Sequence, residues 1–103
     1  MLEQNKINDH IFDVIKEINE SLPVDKKLTV DAETVLYGSK SKLDSFGLVN
    51  LIVGVEEKIQ DETGISITIA DEKALSRKNS PFLTVKTLSD YVSELLNNVQ
   101  KEE

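Results

Sequence analysis

Apolar side chains recur at helical spacing in three separate stretches of the chain. In "INDHIFDVIKEINESLP", Ile7, Ile11, Val14, Ile15, Ile18 and Leu22 fall on one face, at i, i+4, i+7, i+8, i+11 and i+15. That spacing predicts a first helix. Pro23 disfavours helical geometry at the residue before it and cannot extend the hydrogen-bond ladder, so the helix should stop near Leu22. The second stretch, "DSFGLVNLIVGVEEKIQDETG", opens with the cap-competent Asp44 and Ser45 and closes at Gly64. The third, "TVKTLSDYVSELLNNV", repeats Val85, Leu88, Val92, Leu95, Leu96 and Val99 on one face behind Thr84 as N-cap, and the tail "QKEE" should fray.

The segments between these helices are less regular. From Val24 to Lys42 the chain mixes charges with Leu28, Val30, Val35, Leu36 and Tyr37 and ends in the turn-forming "YGSKSK", which predicts a long loop between the first and second helices. "ISITIA" alternates like a strand, yet no second strand pattern exists to pair with it. It reads as an extended loop that drops Ile65, Ile67 and Ile69 onto the core. "ADEKALSRKNSPF" has room for one short helix around Asp71 to Leu75 before the breaker "NSP". The expected fold is therefore all-α: a small bundle of three main helices plus a short one. It forms a single domain over residues 1–103, with its core at about 5–99 and frayed termini.

On a helical wheel of the second stretch, Leu48, Leu51, Ile52, Val55 and Ile59 form one core stripe. Phe46, Val49 and Val53 fall about 100° or more away from it. Either a second neighbour such as the long loop covers them, or they form a partner-binding surface beside Ser45. Gly47 and Gly54 weaken this helix by roughly 1 kcal/mol each relative to alanine. Packing must compensate, or another backbone or side chain must come close there. Farther along, Glu56, Glu57, Asp61 and Glu62 outnumber Lys58 and could steer a basic partner.

Composition narrows the function classes. A net charge of −7 opposes binding to nucleic acid or anionic lipid. With 5% aromatic residues and no Trp, no base-stacking platform is apparent. The absence of Cys excludes disulfides, thiolate zinc sites and any thioester on the chain's own side chains. No stretch approaches the ~20 apolar residues of a membrane span, and the first residues lack the plan of a signal peptide. A soluble, cytoplasmic, monomeric protein is expected. His10, the single histidine, sits beside Asp9 on the first helix and reads as a solvated surface residue, while Tyr37 and Tyr91 read as core or rim. No paired carboxylates, phosphate-cradling glycine loop or metal-ligand spacing appears, so an enzyme is not expected.

"LDSFGLVNLIVGVEEKI" resembles the prosthetic-group attachment motif of acyl carrier proteins, in which Asp-Ser-Leu heads an amphipathic, acidic helix. "GISI" resembles the segment that leaves that helix, and "TVKTLSDYV" resembles the family's last helix, so the likeness spans most of the chain in the expected order. It implies a non-catalytic carrier in which Ser45, within a motif that includes Asp44, bears 4'-phosphopantetheine. A separate magnesium-dependent phosphopantetheinyl transferase attaches this arm from coenzyme A, and its thiol carries acyl groups as thioesters. The implied partners are that transferase and the acyl-loading and acyl-transfer or condensing enzymes, with Phe46, Val49, Val53, Glu56 and Glu57 as the contact face. Gly47 and Asn50 stand where fatty-acid carriers have acidic residues, Phe46 stands for the common Leu, and the segment from Ala70 to Leu83 is longer than usual. These departures point to a specialised carrier, in polyketide-like, lipid-modifying or surface-saccharide acylation chemistry. An aminoacyl or peptidyl carrier and an unmodified helical adaptor are the alternatives.

Overall fold

The computed structural model describes residues 3–37, 43, 45–69 and 81–101, apart from the side chains of Ser45 and of residues 99–101. Among the described residues there are three helices, α1 (Gln4–Asn19), α2 (Ser45–Thr63) and α3 (Val85–Lys101), with one 3-10 turn at Val24–Lys26. Among the described residues there is no strand, only an isolated antiparallel bridge between Val35 and Thr84. The short helix expected around 71–75 lies outside the described residues. At the C-terminal end, α3 continues through Lys101, into the tail expected to fray.

α1 is the central element and packs against both α2 and α3. Its stripe of Ile7, Ile11, Val14 and Ile15 is buried, as the periodicity requires. The helix ends at Asn19, three residues short of the limit set by Pro23, and the Asn19 side chain is bonded to the returning loop. Its Nδ2 donates to the Leu28 carbonyl at 2.9 Å, and its Oδ1 accepts from the Leu28 amide at 2.8 Å. Lys27 Nζ donates to the Asn19 carbonyl as well. Residues 20–22 leave the helix in a tight turn, with the Ser21 and Leu22 amides bonded three residues back to Ile18 and Asn19. The returning chain thus places Leu28 in the core at 6% exposure.

The long loop is tied to the start of α3 by its main chain. A helix leaves its first four amides without intrahelical partners, and in α3 all four are satisfied. Val85 and Lys86 donate to the carbonyls of Thr34 and Ala32 at 3.1 and 2.9 Å. Thr87 donates to Thr84 Oγ1 at 3.2 Å, and Thr84 donates to Thr87 Oγ1 at 2.9 Å, a reciprocal cap of the capping-box type. Leu36 donates to the Leu83 carbonyl at 2.7 Å, which brings its fully buried side chain into the core. At the far end, α2 stops at Gly64, whose φ of 73° is the left-handed conformation that favours glycine at a helix C-terminus. Residues 65–69 form no strand; they bury Ile67 and Ile69, as the alternation predicts, and leave Ile65 partly buried against the core.

The α1–α2 contact explains one of the two mid-helix glycines. A Cβ on Gly54 would lie 2.9 Å from Cγ1 and 3.3 Å from Cγ2 of Val14, so the absence of a side chain lets the two helices approach. Lys58 Nζ, 3.3 Å from Glu17 Oε1, bridges the same two helices at the surface.

Candidate functional site

Ser45 is the first residue of α2. The aligned peptide dipoles give that end of the helix a positive partial charge, and no acidic residue stands in its first turn to offset it. Asp44 lies outside the described residues.

The two faces of α2 separate cleanly. Leu51, Val55 and Ile59 are fully buried and Ile52 is 5% exposed, with Leu48 half-buried against the core. On the other side Phe46, Val49 and Val53 are 75%, 56% and 45% exposed. Their spacing of three and four residues keeps them in one strip, which begins next to Ser45. Among the described residues, the long loop leaves this strip exposed and bonds instead to Asn19 and to residues 83–86 at the start of α3.

The charges of α2 are confined to its distal half and are partly used within the molecule. Glu56 is half-buried, and its Oε2 accepts the Ile69 amide at 2.7 Å, holding the extended loop against the helix. Glu57 is exposed. His10 departs from the expected solvated position: its side chain is 18% exposed, with Nε2 3.1 Å from Glu62 Oε2 near the end of α2. The contact lacks the alignment of a good hydrogen bond, so it is a close charge–dipole or ionic contact. Tyr91 is core at 4% exposure, and Tyr37 lies on the surface at 52%.

Other chemistry is sparse. Among the described residues no group of His, Asp and Glu side chains is placed to hold a metal ion. A shallow groove of about 400 Å³ runs between Gln4 and the face of α3 that carries Asp90, Ser93 and Asn97, and its polar lining does not suit an apolar ligand. Among the described residues, no helix is long and apolar enough to cross a membrane. The structure thus brings together Ser45 and the strip of Phe46, Val49 and Val53, sets Glu57 farther along the helix, and gives Glu56 a structural partner. The roles of Asn19 and Glu56 were not read from the sequence, whereas Gly54 was signalled by its place inside an apolar helix.

Comparison with protein-family models, with curated proteins and with solved structures returns no match.

Proposed function

We propose that this chain is a carrier protein that bears 4'-phosphopantetheine on Ser45 and presents acyl groups to separate enzymes. The observation that carries the reading is the placement of Ser45 at the first residue of a helix whose next exposed side chains form an uncovered apolar strip. The residues at this end fit a phosphodiester. The helix terminus offers positive partial charge toward such a group, with Asp44 of the motif immediately before it. When attached, the arm supplies a thiol for thioester formation, which a chain without cysteine otherwise lacks. Ser45 needs no catalytic base of its own, because the transferase activates its hydroxyl.

Phe46, Val49 and Val53 are the contact face for partner enzymes, with Glu57 at its distal margin. The uncharged stretch after Ser45 favours a specialised carrier over one of general fatty-acid synthesis. The experiment is incubation with coenzyme A, magnesium and a broad-specificity phosphopantetheinyl transferase, followed by peptide mass spectrometry. The added group should be found on the peptide containing Ser45. An unmodified chain, beside a competent control carrier, would favour an adaptor that binds other proteins through the same apolar strip.

A further inference from the structure

We infer that the seam between α1 and α2 is closed to the acyl cargo, with Val14 as the residue that closes it; this rests on the carrier reading above. An apolar chain tethered beside an apolar core is drawn toward it, so the width of each seam decides where cargo can hide. Gly54 lies about 14 Å along the helix axis from Ser45 at 1.5 Å rise per residue, within reach of an acyl chain on a flexible arm. A glycine leaves a hollow on its helix face, and this one faces α1.

Val14 fills that hollow. A single carbon at the Cβ position of Gly54 would stand 2.9 and 3.3 Å from the γ carbons of Val14 and 3.7 Å from its Cβ. Carbon atoms in contact stand about 3.5–4.0 Å apart, and a methylene chain needs that clearance on both sides. The seam is therefore too narrow for one carbon. Val14 is 2% exposed, and its branched side chain has one strongly preferred rotamer in a helix, so it does not swing aside. Ile11 and Ile15 of α1 and Leu51 and Val55 of α2 are fully buried as well. Farther along, the contacts of Lys58 with Glu17 and of Glu62 with His10 join the same two helices. Cargo could enter only by parting α1 from α2 along a close-packed face. The acyl chain is left outside this seam, where a partner enzyme reaches it without first separating the two helices.

The test loads the chain with isotope-labelled octanoyl-phosphopantetheine, using octanoyl-coenzyme A and a broad-specificity phosphopantetheinyl transferase, with the butyryl form as the short-cargo reference. Nuclear Overhauser contacts are recorded from the octanoyl protons to the Val14 methyls and the Gly54 α protons. In wild type these contacts should be absent, and the Val14 methyl and Gly54 amide resonances should be the same with either cargo. Val14→Ala removes the γ carbons that stand over Gly54. In that variant octanoyl contacts to Gly54 should appear, and the Gly54 amide resonance should move between the butyryl and octanoyl forms. Octanoyl contacts to Val14 in wild type, or none to Gly54 in folded Val14→Ala, would overturn the inference while leaving the carrier reading intact. The wild-type measurement decides the closure of the seam whether or not Val14→Ala folds. A wild-type chain that takes up neither acyl form, beside a competent control carrier, would instead overturn the carrier reading itself.

Discussion

Replacing Gly54 with alanine sets two effects of opposite sign against each other inside one helix. Removing the glycine favours α2 by about 1 kcal/mol, because the unfolded backbone loses freedom and helix propensity rises. The new Cβ, however, would lie 2.9 Å from Val14 Cγ1 and 3.3 Å from Cγ2. Val14 is 2% exposed and β-branched, so rotation about χ1 exchanges one γ carbon for another instead of opening space. The helices must separate, and overpacking of this kind costs about 1–3 kcal/mol. Gly54→Ala should therefore destabilise the protein by about 1 kcal/mol, a fall in Tm of roughly 4–8 °C for a domain of this size. Val14→Ala alone should cost about 2 kcal/mol for its buried methyls. In the Val14→Ala background the obstacle is gone, and Gly54→Ala should then stabilise by up to about 1 kcal/mol. Urea denaturation followed by circular dichroism on the four proteins gives the coupling directly. If Gly54→Ala stabilised both backgrounds equally, α1 and α2 would not approach as described.

The remaining predictions concern the loop and the surface of α2. Asn19→Ala removes both side-chain hydrogen bonds to Leu28 and leaves two loop groups unpaired. It should cost about 1–3 kcal/mol in denaturant unfolding, and an effect under ~0.5 kcal/mol would mean that Asn19 does not hold the loop. Val49→Glu and Val53→Glu replace exposed side chains and should shift stability by no more than about 0.5 kcal/mol while impairing transfer by partner enzymes. Matching losses of stability and transfer would show that these residues serve the fold.

The helices were legible because their signals are local. The stripes of α1 and α3, the Thr84 cap and the Gly64 stop each depend on residues a few positions apart, and each holds in the structure. The alternation in "ISITIA" likewise placed Ile67 and Ile69 in the core. What escaped depends on long-range contacts. The loop's bonds from Thr34 and Ala32 to α3 join main-chain atoms, which have no side-chain signature. α1 ends at Asn19 and not near Leu22, since Pro23 sets only an outer limit; the bonds from Asn19 to Leu28, nine positions away, have no local signature. His10 read as solvated because its own helix shows only that it is polar, and Glu62 of α2 encloses it. Glu56 read as part of an acidic face, yet the loop amide of Ile69 claims it. At the candidate site, the exposure of Phe46, Val49 and Val53 followed from their angle to the core stripe. The chemistry proposed for Ser45 rests on the resemblance of its motif together with its place at the first residue of α2 beside the exposed strip.

The measurement that tests the central claim most directly is intact mass after incubation with coenzyme A, magnesium and a broad-specificity phosphopantetheinyl transferase, with Ser45→Ala alongside. Ser45 is the first helical residue and not the cap, so its replacement by alanine removes no capping group and a circular dichroism spectrum should show the variant folded. The wild type should gain the mass of one phosphopantetheine and folded Ser45→Ala should gain none. No increase on the wild type beside a modified control carrier, or the same increase on Ser45→Ala, would contradict it.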